Sequence, residues 1–127
     1  MAPRPRQSLI MKVTSLLVFG LSLLPSPVIA AEANATMFLA LYDAARPEDK
    51  AQLRDHVQAV AYGIAWANAA LKFQKQKPLY CPPDEQNLTG EQVLDLLRKE
   101  LEAHPASGDF PWPAVTIRAL QSAFPCR

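Results

Sequence analysis

Two cysteines and two histidines are the side chains of this chain best suited to metal binding or redox chemistry. The cysteines are Cys81 and Cys126, and neither belongs to a CxxC or CxxxC pattern. His56 and His104 are the only histidines, and neither lies close to a cysteine in the sequence. Because metal sites combine suitably spaced ligands, this pattern predicts no metal site and no cofactor. We expect Cys81 and Cys126 to form one structural disulfide rather than a reactive thiol or a metal pair.

Catalysis would have to rely on Asp55, His56, His104 and Ser107. Asp55 and His56 are sequence neighbours, so on a helix their side chains point about 100° apart and do not form an orienting pair. Residues 31–127 contain no GxSxG motif, no HExxH motif and no phosphate-binding glycine loop. We therefore expect no catalytic residues, and the sequence favours a protein that is not an enzyme.

The first 30 residues have the pattern of a secretory signal peptide. Basic residues up to Lys12 precede an apolar run over residues 13–24, and small residues lead to a cleavage site after Ala30. A membrane-spanning helix needs about 20 apolar residues, so this run is too short for a stable anchor. Translation could also begin at Met11, because the signal is complete from there. Export also supports the disulfide, because exported thiols normally oxidise.

Cleavage would leave residues 31–127 as one compact domain. The chain has 13 basic and 12 acidic side chains, and residues 1–30 contain three of the basic ones and none of the acidic ones. The remaining domain is therefore mildly acidic. That charge gives no electrostatic basis for binding nucleic acid.

The apolar spacing predicts an all-α fold, a compact bundle of about four helices with one structural disulfide. The first helix is expected to turn Met37, Phe38, Leu41 and Tyr42 towards the core. The third is expected to begin with a capping box formed by its flanking threonine and the glutamine three residues later. The expected helices are residues 32–45, residues 47–76, a segment from Thr89 to His104, and a segment from Pro113 to Phe124.

The second of these helices carries apolar residues on two sides. Tyr62, Gly63 and Trp66 belong to the second apolar stripe, and Gly63 would allow another helix to come close. A helix with two apolar stripes is either central in its domain or covered by a partner. We expect these three residues to form a helix-packing face or the contact of a homodimer.

Several motifs together resemble the Rap1a/Tai family of type VI secretion immunity proteins. The resemblance covers residues 57–126, and its most specific part is the closing Ala-Phe-Pro-Cys sequence that ends at Cys126. The other matching residues are Gly63 within an apolar helix, Tyr80-Cys81-Pro82, a helix containing Val93, Leu97 and Leu101, and His104-Pro105.

This resemblance implies a small all-helical periplasmic protein that neutralises a toxin delivered by a type VI secretion system. In the better-known cases the toxin is an amidase that cleaves the cell wall, and the immunity protein blocks it stoichiometrically without catalytic groups of its own. Two other functions are compatible with the sequence. They are an acid-stress chaperone of the periplasm and an envelope accessory protein without a cognate toxin.

If the chain blocks a toxin, we expect the segment from Glu102 to Trp112 to make the contact. Asp109, Phe110 and Trp112 combine a carboxylate with two large aromatic side chains beside prolines, a composition that suits an interface anchor. The alternative is that Phe110 and Trp112 pack beneath this loop against the fourth helix.

Overall fold

The computed structural model describes residues 33–83 and 87–127. The predicted signal peptide, residues 1–30, and its cleavage site lie outside the described residues. Among the described residues, no helix is both long enough and apolar enough to cross a membrane.

Four α-helices and one short 3-10 helix make up the described part of the chain, which confirms the predicted all-α fold. Its only pairing of the β type is an isolated bridge between Asn34 and Pro111. The α-helices are α1 (Ala35–Ala44), α2 (Pro47–Phe73), α3 (Gly90–Ala103) and α4 (Trp112–Ala123), and the 3-10 helix, η1 (Pro105–Asp109), lies between α3 and α4.

Local sequence signals account for most helix ends. At the start of α3, the Thr89 hydroxyl accepts a hydrogen bond from the Gln92 amide at 3.2 Å. The Gln92 side chain accepts one from the Thr89 amide at 2.9 Å, which confirms the predicted capping box. Helix α2 ends at Phe73, before the predicted position, because Lys75 adopts a positive φ of 57°.

The core lies where all four helices meet. Trp112, at the start of α4, stacks on Phe38 of α1 with 4.4 Å between ring centroids. The structure corrects the predicted inner face of α1, because Met37 and Leu41 are 53% and 54% exposed whereas Leu39 is buried. The other large, fully buried residues are Val57, Val93, Leu97, Val115, Thr116 and Leu120.

An ion pair joins α1 to α3 at the surface. Arg98 donates to both carboxylate oxygens of Asp43, at 2.6 and 3.1 Å. The hydrogen bonds from Arg98 hold the pKa of the Asp43 carboxyl below its ordinary value, and they raise the pKa of Arg98 in return. This bidentate pair links α1 and α3 at the surface.

The predicted disulfide between Cys81 and Cys126 is confirmed, with 4.9 Å between the two Cα atoms. It joins the segment after α2 to the end of the chain beyond α4. Next to it, the Cys81 amide donates to the Phe124 carbonyl at 2.8 Å. The end of α4 and the segment leaving α2 are therefore held together by a covalent bond and a hydrogen bond.

Candidate partner-binding surfaces

Trp112 does not lie on the surface, so the structure corrects its predicted role as a partner-binding residue. Its side chain is 0% exposed, and the His56 ring lies 5.8 Å from it on the side of α2. Trp112 is the first residue of α4, and its ring stacks on the ring of Phe38 in the core. The alternative considered from the sequence, packing beneath the loop, holds for Trp112.

Asp109 and Phe110 do lie at the surface, and we call them the Phe110 edge. Phe110 is 57% exposed, although its backbone is fixed. Its carbonyl accepts from the Ala35 amide at 2.9 Å, and its amide donates to the Ser107 carbonyl at 3.1 Å. Gly108 precedes the edge, and a Cβ there would clash with the Thr36 hydroxyl. This segment therefore presents an exposed aromatic ring from a backbone that α1 holds in place.

A second apolar surface follows the exposed side of α2. Tyr62, Trp66 and Phe73 are 40%, 77% and 91% exposed. A Cβ built on Gly63 meets no atom within 4 Å, so the described part of the chain brings no helix close to it. The core contacts of α2 come from its opposite side, through residues such as Val57 and Ala61. The residues predicted to pack a helix or a second copy are thus exposed in the single chain.

An open groove of about 820 Å³ runs beside this surface. One wall is α2, and the other is the segment that follows it, including Tyr80 and Pro82. Tyr80 is only 6% exposed, and burial raises the pKa of its phenol above the ordinary value. The ring therefore lines the groove as a neutral group. The lining residues are Tyr62, Ala65, Trp66, Asn68, Ala69, Lys72, Phe73, Tyr80, Pro82 and Asn87.

Asn68 holds the two walls of the groove together. Its side-chain amide nitrogen donates to the Tyr80 carbonyl at 2.9 Å. Its side-chain oxygen accepts from the amides of Leu79 at 2.6 Å and Tyr80 at 3.3 Å. Sequence reasoning missed this role, although Asn68 is the one clearly polar residue in the apolar half of α2. A single amide side chain in such an apolar stretch indicates a buried residue that has hydrogen-bond partners, since buried polar groups are almost always paired.

The charged side chains of α2 lie towards its two ends. Its first turn carries Glu48 and Asp49, and Asp55 is the last acidic residue before residues 56–83, which contain none. Lys72 lies in the last turn. Lys75 and Lys77 follow it and are exposed. Lys50 and Arg54 lie among the acidic residues of the first half of α2, so the apolar surface around Trp66 has charges of both signs on one side and basic side chains on the other.

The residues that could have supported catalysis differ in their exposure. Ser107 is buried, whereas Asp55 and His56 are exposed. His104 instead lies beside Glu100, a buried carboxylate that the sequence did not single out, with 3.2 Å between His104 Nδ1 and Glu100 Oε1. The described residues contain no group of three or more His, Cys, Asp or Glu side chains arranged to hold a metal ion.

Glu100 ties α3 to α4. Its Oε2 accepts from the Ser122 hydroxyl at 2.8 Å, and its Oε1 lies 3.6 Å from Nε of Arg118. Both of these partners belong to α4. The contacts make Glu100 a structural link between the two helices.

Comparison with known proteins identifies the family. A family model that describes Rap1a immunity proteins matches residues 34–126. No curated protein and no solved structure matches the chain. Because the family model covers most of the chain, including the disulfide and both apolar surfaces, the chain belongs to the Rap1a immunity protein family.

Proposed function

We propose that this Rap1a-family chain is a periplasmic immunity protein that binds and blocks a peptidoglycan amidase delivered by a type VI secretion system. The observation that carries the proposal is the family match over residues 34–126. The disulfide between Cys81 and Cys126 supports the periplasm, because disulfides form and persist in oxidising compartments. The signal peptide expected over residues 1–30 would direct the chain there.

Blocking by binding needs a surface that keeps its shape rather than a catalytic group. Pre-ordered contact residues cost less entropy when the complex forms. The Phe110 edge meets this need, since hydrogen bonds to Ala35 and Ser107 fix its backbone while the ring stays exposed. We propose that Phe110 and Asp109 contact the toxin, with the phenyl ring as apolar anchor and the carboxylate as a polar contact beside it.

Self-association is the second interaction that we propose. Tyr62, Gly63 and Trp66 form an exposed face on α2 that a second copy of the chain would cover. Exposed aromatic residues in one contiguous patch are typical of protein interfaces. The Phe110 edge is formed by the end of η1 and the residue that follows it, and the α2 face belongs to a different element. The proposal therefore assigns one interaction to each surface.

The proposal is tested by titrating the cognate toxin with the oxidised protein. Capture from the native strain's lysate and secreted fraction, followed by mass spectrometry, supplies the candidate toxin. Release of soluble fragments from purified peptidoglycan then measures its activity. We expect activity to fall linearly and to vanish at one chain per toxin molecule. A toxin that keeps full activity in a large excess of the folded protein would contradict the proposal.

A matched pair of variants locates the contact in the same titration. Phe110→Ala removes an exposed ring from the Phe110 edge, and Met37→Ala removes an exposed apolar side chain of α1. We expect Phe110→Ala to weaken inhibition by roughly tenfold or more, as truncation of an interface anchor does. Met37→Ala should inhibit like the wild type. Equal inhibition by both variants would remove Phe110 from the contact.

A further inference from the structure

A continuous run of hydrogen bonds leads from the end of α3 to the Phe110 edge. His104 is the residue that follows α3 and precedes η1. Its carbonyl accepts from the Ser107 amide at 2.9 Å, and the Ser107 carbonyl accepts from the Phe110 amide at 3.1 Å. The Phe110 carbonyl in turn accepts from the Ala35 amide at 2.9 Å. His104 therefore sets one end of the backbone path that leads to the Phe110 ring.

Few torsions between His104 and Phe110 are free to change. Pro105 follows His104 directly, and its ring fixes the backbone φ angle. Ser107 is buried. Gly108 lies so close to α1 that a Cβ there would clash with the Thr36 hydroxyl. A shift of His104 would therefore be passed on through η1 to the Phe110 edge.

Glu100 holds His104 in two ways. Its backbone carbonyl accepts from the His104 amide at 2.8 Å, and its side-chain Oε1 lies 3.2 Å from His104 Nδ1. The Glu100 side chain is 2% exposed, whereas the His104 side chain is 55% exposed. The imidazole therefore lies over a carboxylate that is shielded from water.

The buried Oε1 atom of Glu100 gives a physical reason for this contact. Within the described part of the chain, no group donates a hydrogen bond of good geometry to Oε1. The nitrogens beside it belong to His104 and to Arg118, at 3.2 and 3.6 Å. A buried carboxylate oxygen without partners costs free energy, and contact with Nδ1 of His104 reduces that cost. The other oxygen, Oε2, accepts from the Ser122 hydroxyl of α4 at 2.8 Å. Helix α4 therefore fixes the carboxylate that holds His104.

We infer that His104 is a positioning residue for toxin binding, and that its contact with Glu100 holds η1 so that the Phe110 edge keeps one direction. The inference rests on the proposed function, in which Phe110 contacts the toxin, and it adds the residues that prepare this contact. His104 does not need to touch the toxin itself. It acts by reducing the entropy that the Phe110 edge loses when the complex forms.

Hydrogen exchange of the free, oxidised protein tests the positioning without any toxin. His104→Ala removes the imidazole, and we expect faster exchange at the amides of Ser107 and Phe110. His104→Asn should restore the protection, because an asparagine side chain places an amide nitrogen at the same number of bonds from Cβ as Nδ1. The Cys81 amide, which donates to the Phe124 carbonyl, is the internal reference and should exchange as in the wild type.

Titration of the cognate toxin in the peptidoglycan assay tests the consequence for binding. We expect His104→Ala to weaken inhibition by roughly two- to tenfold, the effect of losing about one hydrogen bond. His104→Asn should inhibit like the wild type. Lys99→Gln is the matched control, because it removes an exposed charge next to Glu100 on α3. It should change neither inhibition nor exchange.

Three results would overturn the inference. They are unchanged exchange at Ser107 and Phe110 in His104→Ala, an equal acceleration at Cys81, and unchanged inhibition by His104→Ala. The two proposals fail differently. A wild-type chain that inhibits no toxin rejects the immunity function, whatever the exchange rates are. Inhibition that is weakened in Phe110→Ala but intact in His104→Ala rejects the positioning role and leaves the immunity function in place.

Discussion

The two tryptophans of this domain have opposite environments. Trp112 is 0% exposed and stacks on Phe38, whereas Trp66 is 77% exposed on α2. The first joins α1 and α4 within the core, and the second makes no large contribution to the buried core of the single chain. The difference separates the part of the molecule that stabilises the fold from the part that remains available to a partner. Each prediction below removes a group on one side of this division.

Removing Trp112 should have the largest effect on stability. Trp112→Ala deletes a fully buried ring, and we expect the free energy of unfolding to fall by about 3–5 kcal/mol. Urea unfolding followed by circular dichroism measures the change. Trp66→Ala is the control, because replacement of an exposed side chain usually changes stability by less than about 0.5 kcal/mol. Equal losses for the two variants would contradict the division between core and surface. If Trp112→Ala does not fold, Trp112→Phe should fold and still be less stable than Trp66→Ala.

Removing the disulfide should have the next largest effect. The bond closes 45 residues of chain, and disulfides of this kind typically contribute about 2–4 kcal/mol. We expect the variant with Cys81→Ser and Cys126→Ser to lose that amount in urea unfolding. The chemically reduced wild type should match it. Unchanged stability of the double variant would show that the remaining contacts hold the segment after α2 without the bond.

Replacing Asn68 should destabilise the groove wall formed by the segment that follows α2. Asn68→Leu leaves the Tyr80 carbonyl and the Leu79 amide without their buried partner, which costs about 1–3 kcal/mol. Hydrogen exchange should accelerate at the amides of Leu79 and Tyr80, while the amides around Trp112 remain protected. Asn87→Ala, on the same groove, is the control and should leave exchange unchanged. Unchanged exchange in Asn68→Leu would show that Asn68 does not hold the two walls of the groove together.

The smallest effect is expected at the ion pair between α1 and α3. Asp43→Asn should cost well under 1 kcal/mol at neutral pH, because Asp43 and Arg98 are exposed to solvent. Arg98 lowers the pKa of Asp43 from its ordinary value of 3.8. The contribution of the charged carboxylate is therefore fully present above that value and is lost as the pH falls below it.

Comparing wild type with Asp43→Asn by urea unfolding across this pH range tests the pair. The difference in unfolding free energy should shrink on acidification. A difference that stays constant down to strongly acidic pH would assign it to packing rather than charge.

The helices could be predicted because their signals are local. Pro47 at a helix start, the capping box at Thr89 and the His104-Pro105 step each act through neighbouring residues, and the structure has a helix end at each of them. The disulfide was equally accessible, because the chain offers only one pair of cysteines. Such features need no knowledge of which helix packs against which.

The choice of inward side chains was harder to predict because it depends on tertiary packing. Phe110 and Trp112 are both aromatic residues next to prolines, but only Trp112, the first residue of α4, packs on Phe38. On α1, Met37 and Leu41 fit the helical spacing, but Leu39 takes the buried position. Asn68 can be recognised in the sequence as an isolated polar residue. Its partners could not be predicted, because no local signal specifies the path of the segment after α2. The same holds for the candidate contact residues, because packing of the whole bundle decides which side chains are exposed.

A growth assay tests the central claim, immunity, most directly. The cognate toxin is expressed in the periplasm of a susceptible strain, alone or together with this chain. We predict that the toxin alone lyses the cells and that co-expression of the wild-type chain restores growth. A folded, oxidised chain that accumulates in the periplasm and gives no protection would contradict the account.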